Sequence, residues 1–346
     1  MLAMQAANKH HYLPVFYLKQ WALQPGGRVV EFSRPFGPEV KPRRVHPSGT
    51  GYVNRLYASE VAEVGAWEME RDFFSPVDSR AADAMRRLIS GAVLSDAERQ
   101  AWATFVVSLL CRMPEDVPLV KEMRKQVILM FAPAFRRAYD ASRPAEETRT
   151  FDQLTSEVME TAPDRALRTL EKIITNERLI DILCRMKWAV TPLSSGNELL
   201  TSDRPATYTK VLNADESHFV LPIGPEHLFI AANNSGMLKR IAAMPKLGTM
   251  ANQKAVEQAS KLVYGSSERQ LRFVQNRMGR DKEPQLMRRL LALQAAQAPA
   301  YLEVMESIPL DSFLEDQLDA KAALSRSAAS SFPTKACPSS VRNSWV

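Results

Sequence analysis

A chain of 346 residues, 45% hydrophobic and 24% charged with a formal net charge of +6, lies within the ordinary range of soluble proteins. That length exceeds one small core and suits one large or two modest domains. The three cysteines, Cys111, Cys184 and Cys337, are odd in number and show no CxxC spacing, which argues against a disulfide framework or a zinc finger and fits a reducing cytoplasm.

No run approaches the ~18 apolar residues of a membrane helix, so no membrane span is expected. Residues 1–7 are apolar but few, and Lys9, His10 and His11 follow them, the reverse of a secretory leader. The positive excess is uneven. Residues 1–57 carry Lys9, Lys19, Arg28, Arg34, Lys41, Arg43, Arg44 and Arg55 against Glu31 and Glu39, which accounts for all of it. A second basic block runs from Lys239 to Arg289. Such asymmetry can attract a nucleic acid or another anionic ligand; a solvated surface that keeps the chain soluble is the more common reason for it.

In chain order, the first feature is Asn8–Trp21, where His10 and His11 stand among Tyr12, Phe16, Tyr17, Trp21 and Pro14. Polar and ring-bearing side chains alternate, a texture suited to lining or plugging a cavity. Arg28–Ser33 alternates like a short strand. Pro35, Gly37, Pro38 and Pro42 then break regular structure, and Val45–Asn54 is a loop containing His46. The first 57 residues read as an irregular arm wrapping a helical body. The body starts near Ser59, with Val61, Val64, Trp67, Met69, Phe73 and Phe74 at near-helical spacing interrupted by Pro76, and resumes over Ser79–Ile89. Ser95-Asp96-Ala97-Glu98 is a capping box that opens a helix running to Arg112 and stopping before Pro114. Further helices are expected over Pro118–Tyr139, Phe151–Glu160 and Asp164–Lys187. Short β-prone runs follow at Trp188–Thr191, Glu198–Thr201, Ala206–Thr209, His218–Leu221 and Leu228–Ala231, punctuated by turns, as in an antiparallel meander. Helix returns from Asn234 to Met278, broken at Pro245 and Gly265. The class is α+β: a mainly helical body, a small antiparallel sheet near residues 188–232 and the N-terminal arm. Residues 1–290 read as a single domain, 291–324 as a weakly structured helical segment and 325–346 as a disordered tail.

The His-His-Tyr-x-Pro-x-x-Tyr-Leu pattern of His10–Leu18 resembles the opening signature of a bacterial family of unknown function, number 4238 in the domain-of-unknown-function series. Leu56-Tyr57 resembles that family's Phe-Tyr step, and Glu70 stands where it places a helical glutamate. Arg112-Met113-Pro114 looks like its Arg-x-Pro helix end, Thr201-Ser202-Asp203-Arg204-Pro205 like its Thr-Ser-Asp-x-Pro turn, and Asn252 like its late asparagine. The resemblance covers Asn8 to Tyr264 and implies no activity, since the family has none assigned. It marks polar residues worth following.

On a strand His10 and His11 point to opposite faces, so only one can enter a given site. His11 is preferred, fixed by Tyr12 and Pro14. It is a metal ligand or general base, unless it merely pins the arm to the backbone. Asp203, with Ser202, sits in a turn between strands. It either satisfies backbone N–H groups or offers a carboxylate to a metal or substrate. Glu70 is solvated, or buried with a cation for which Arg112 is the obvious candidate. Arg112 could instead fork onto a phosphate or carboxylate. Asn252 is a helix cap or an amide contact. No P-loop, dinucleotide fingerprint, H-E-x-x-H, EF-hand loop or G-x-S-x-G elbow is present. Two readings stand. The first is a metal-dependent hydrolase for a phosphodiester or other anionic substrate. It would use His11, Glu70 and Asp203, with His11 and Asp203 on Mg²⁺ or Mn²⁺, and Tyr12, Arg112, Ser202 and Asn252 on the substrate. The second is a non-catalytic module that binds nucleic acid or protein, the motifs being structural.

Overall fold

A computed structural model gives the architecture and describes residues 9–22, 26–58, 68–143, 146–193, 198–209, 212, 214–281 and 286–307. The N-terminal region supplies β1 (Lys9–His11), α1 (Val15–Leu18), which tightens into a 3-10 turn over Lys19–Trp21, β2 (Val29–Ser33), β3 (Lys41–Val45) and β4 (Tyr52–Asn54). Pro42 does not break β3, because this strand pairs only with β2 and a sheet edge tolerates a missing N–H. The arm expected to wrap the body is instead part of the core: Tyr12, Leu13, Tyr17, Leu18 and Trp21 are all buried. The polar tips of Tyr17 and Trp21 are satisfied inside. The Tyr17 hydroxyl donates to the Pro222 carbonyl and bonds Thr201 Oγ1, both at 2.7 Å, and Trp21 Nε1–H donates to the Leu199 carbonyl at 2.7 Å. Gly51, at φ +64°, lets the chain pass so close that a Cβ there would lie 3.0 Å from Leu13 Cβ.

A π-helix over Met69–Phe74 leads directly into α2 (Ser75–Ile89). Pro76 is the second residue of α2 and the chain stays helical on both sides of it, so the interruption expected there is absent. α3 (Asp96–Leu109) starts at the capping box, with Glu98 N–H on Ser95 Oγ and Ser95 N–H on Glu98 Oε2. α4 (Asp116–Ser142) and α5 (Phe151–Ile174) pack as an antiparallel hairpin, and α6 (Glu177–Arg185) follows. The two helices expected on either side of Pro163 are one. Pro163 sits inside α5, as Pro133 does inside α4, each costing a ladder bond that packing along the hairpin offsets.

β5 (Lys187–Pro192), β6 (Thr201–Ser202), β7 (Thr207–Tyr208), β8 (His218–Pro222) and β9 (His227–Ala232) come next. The meander is real for β5, β7, β8 and β9, which form one antiparallel sheet in the order β5-β9-β8-β7. β6 leaves it. It pairs with β10 (Val263–Gly265), a strand unforeseen in a stretch read as helix, to give a second sheet ordered β3-β2-β10-β6. The helical expectation for 234–278 resolves into α7 (Ser235–Ala242), α8 (Leu247–Glu257) and, after β10, α9 (Leu271–Arg277). α10 (Leu286–Ser307) stays helical beyond the point where the sequence signal fades. Val61, Val64, Trp67 and the tail from Ser325 lie outside the described residues.

Period-two alternation sorts side chains between cores. On β9, Leu228, Ile230 and Ala232 meet Met237 and Ile241 of α7, while Phe229 and Ala231 join the main core, which extends from Tyr12 to Met287. On β2, Val30 and Phe32 pack with Val256, Val263 and Val274, leaving Glu31 on the opposite face. No described helix is long and apolar enough to cross a membrane.

Candidate functional site

β1 and the π-helix bring the first two candidates together. β1 pairs antiparallel with β4, His10 opposite Val53 and His11 opposite Tyr52, so the adjacent histidines face different ways. His10 turns inward. Its Nδ1 accepts the Tyr57 backbone N–H at 2.9 Å, which fixes the proton of the neutral ring on Nε2, and it stacks on the Tyr57 ring. His10 is thus the histidine that pins the arm. His11 turns toward Tyr52, ring centroids 5.5 Å apart, and its backbone N–H donates to Glu70 Oε1 at 3.2 Å. Glu70 reaches it from the π-helix, whose wider turn is marked by Ser75 N–H bonding the Glu70 carbonyl, and such turns recur at functional sites. Burial pushes the Glu70 carboxyl up to about 7; the His11 N–H and the Arg112 charge oppose this, and Asp78 adds to it. Burial lowers the His11 ring below the usual histidine value against a hydrogen bond to the Ser48 backbone; the charges of Lys9, Arg112 and His10 lower it further.

Arg112, just past α3, is wholly buried, with its guanidinium over the rings of Phe74 (5.2 Å) and Phe105 (5.7 Å). Its carbonyl accepts the Tyr57 hydroxyl at 2.5 Å. The architectural bridge expected between Arg112 and Glu70 is replaced by another: Arg112 Nη1 pairs with Asp78 Oδ1 at 3.0 Å. Burial raises the Asp78 carboxyl and Arg112 holds it down. Asp78, in the first turn of α2, carries no sequence signal. Tyr57 had one, as half of the Leu56-Tyr57 step.

Four buried polar atoms of this group have no hydrogen-bond partner among the described residues: His11 Nε2, Glu70 Oε2, Arg112 Nε and Arg112 Nη2. Such atoms also occur on Trp102, Glu115, Arg124, Arg204 and Ser266; what marks this group is that four fall on three residues that act on one another electrostatically. His11 and Glu70 as whole residues are only half-buried, although these atoms are not exposed.

The remaining candidates lie elsewhere. The Asp203 carboxylate is engaged by three backbone donors, Ser260 N–H (2.8 Å), Lys261 N–H (2.6 Å) and Leu262 N–H (3.0 Å), and its own N–H bonds the Leu262 carbonyl. It clamps the α8–β10 connection. Burial pushes it up to about 6 against the three N–H bonds. Ser202 Oγ accepts the Arg204 N–H at 3.2 Å, closing the turn. The Tyr12 hydroxyl is raised by burial and by the nearby charges of Asp203, Glu115 and Glu31. Asn252 is no helix cap: it lies within α8, its Oδ1 accepting Leu200 N–H at 2.7 Å and its Nδ2 donating to the Glu198 carbonyl and Gln270 Oε1. The Asp203 carboxylate expected on an ion is thus bound by backbone donors. Among the described residues no three His, Cys, Asp or Glu side chains gather to hold a metal ion. Asp203→Asn, which turns one acceptor oxygen into a donor facing backbone N–H groups, is expected to cost about 1–3 kcal/mol in urea unfolding. An unchanged midpoint would remove the clamp from the account.

A separate cavity of about 20 Å³ lies among Met113, Asp116, Arg204 and Tyr208, with room for roughly one water molecule. Burial raises Asp116 to about 6, with Arg204 opposing. It joins the Arg-x-Pro end of α3 to the Ser202–Pro205 turn, but not to His11 or Glu70.

No curated protein and no solved structure matches the chain. The family model of DUF4238, a protein of unknown function, matches residues 9–269, about three quarters of the sequence. That span contains His11, Glu70, Asp78 and Arg112, and the chain belongs to the DUF4238 family.

Proposed function

We propose that this chain is a hydrolase of the acid–base kind, acting on a singly charged anionic substrate at His11, Glu70 and Arg112. The observation that carries the reading is the set of four unpartnered polar atoms on those residues. Glu70, with its carboxyl near neutrality, can take a proton from water as the water oxygen bonds the scissile centre and return it to the leaving oxygen. Water is the only co-reactant, and an ester gives an acid and an alcohol. Arg112 holds the anion. Because Asp78 already offsets its charge, the site suits a monoanion, such as a carboxylate or a phosphodiester, better than a dianion. His11 supplies a neutral ring nitrogen.

The nucleic-acid reading has less support, because half of the eight N-terminal basic residues are engaged within the chain. Lys41 pairs with Glu39, Arg43 with Glu31 and Arg44 with Glu268, while Arg34 donates to the Gln275 and Met278 carbonyls.

The test is turnover at pH 7 of bis(p-nitrophenyl) phosphate and of p-nitrophenyl monoesters of dicarboxylic acids. Glu70→Gln is expected to lower kcat by about 10²–10⁴, and a chelator is expected to leave the rate unchanged, since Asp203 is already bound by backbone. Equal rates for wild type and Glu70→Gln, or no turnover of either substrate class, would overturn the reading.

A further inference from the structure

The long helix α4 keeps a face that the described chain leaves uncovered. Its first turns enter the main core through Val117 and Val120, but from Lys121 outward no described residue of the helix is buried. That outer part includes residues 127–135, apolar without a break. A helix apolar on every side is normally enclosed. Here α5 and α10 pack against α4, and one stripe is left over. Glu122, Gln126, Leu129, Pro133 and Arg136 recur at steps of four and three, so they share a face, and all five are exposed, Leu129 by 58%.

The charges along the stripe say what covers it. Glu122 stands seven residues before Leu129 and Arg136 seven after, each about 10 Å from it along the helix axis. We infer that α4 packs antiparallel against α4 of a second copy of this chain, with the two-fold axis at Leu129, so that Glu122 of each copy meets Arg136 of the other. Both pairs form together, because such an interface is isologous. Leu129 and Pro133 make its apolar centre and the charged residues its rim. A parallel pairing would set Glu122 against Glu122 and Arg136 against Arg136, so the charges fix direction as well as register. The like-charged Lys121 and Arg137, eight residues either side of Leu129, lie about 80° round the helix on opposite flanks and do not meet. Neither rim charge is used up within its own chain. Glu122 Oε1 accepts from Gln126 Nε2 at 3.2 Å. Arg136 pairs through Nη2 with Asp152 and lies 4.8 Å over the Phe151 ring, with 47% of its side chain still exposed. A guanidinium has several further N–H donors for the Glu122 of the second copy.

The experiment is light scattering of the full-length protein after size exclusion, across the micromolar concentration range. The mass of two chains is expected, falling toward one on dilution, as suits an interface of one helix per copy. Arg136→Glu and Glu122→Arg each turn two attractions into repulsions and are each expected to weaken the dimer by about tenfold or more, while the two together restore it. Leu129→Glu sets two carboxylates at the axis and is expected to give a monomer with the wild-type circular dichroism, since the position is exposed. A wild-type monomer at every concentration overturns the proposal and leaves the stripe to residues 308–346 of the same chain or to a different protein. A dimer that persists in Leu129→Glu places the contact elsewhere and overturns it. So does a charge-swapped double variant that associates no more tightly than its single parents.

Discussion

Arg112→Met is expected to lower the unfolding free energy by about 3 kcal/mol, because it strands the Asp78 carboxylate against an apolar wall with no cation. The estimate sits at the low end for a broken buried pair since the Asp78 side chain keeps 20% exposure. Methionine fills much of the same space between Phe74 and Phe105, so packing changes little and the loss reports the charge. The double variant Arg112→Met/Asp78→Leu isolates this: removing both partners should restore most of the stability, as apolar replacements of buried pairs do. Denaturant midpoints of the four members of the cycle decide it. A double variant as unstable as Arg112→Met alone would mean that Arg112 supports the fold through its rings and the Tyr57 hydroxyl rather than through Asp78.

A second expected result concerns pH. Glu70 has a folded-state pKa of about 7, above its ordinary 4.5, so between those values the folded chain holds a proton that the unfolded chain has released. Its contribution is therefore fully present below about pH 4.5 and is lost as pH rises to about 7, on the order of 2 kcal/mol once partial exposure is allowed for. Asp116 and Asp203, both raised to about 6, act in the same direction. His10 and His11, lowered by burial, act in the opposite direction below the ordinary histidine value. The difference between wild type and Glu70→Gln separates Glu70 from the rest: wild type should lose more stability between pH 5 and 8 than the variant, whose glutamine still accepts the His11 N–H. Parallel urea profiles for the two proteins over that range would show that Glu70 does not titrate there.

What the sequence revealed depended on the range of the interaction. The capping box at Ser95 and Glu98 is local chemistry, and α3 begins where it says. The β8–β9 hairpin was readable from alternation and turn residues. β10 was not: three residues between helices carry no period, and its place is set by β2 and β6, which lie far away in sequence. Pro163 misled because a proline's local cost is visible and the packing of α5 on α4 is not. His11, Glu70 and Arg112 were each singled out, and the charge of Arg112 acts on both of the others. Asp203 and Asn252 looked equivalent as residues, yet their side chains are consumed by backbone groups that no sequence pattern displays. Asp78 went unseen because an aspartate on a polar helix turn resembles any solvated one.

The central place of the arm bears on how the chain is made. Tyr17 bonds Thr201 and Pro222, Trp21 bonds Leu199, and β2 pairs with β10 at residues 263–265, so the first segments synthesised find these partners only when the ribosome has added about 180 to 230 further residues. At typical elongation rates that interval is about 10–50 s. Throughout it Tyr12, Leu13, Tyr17, Leu18 and Trp21 lack part of the core they finally enter. Apolar segments exposed in this way are prone to aggregate, and the yield of refolded protein is expected to fall as its concentration rises.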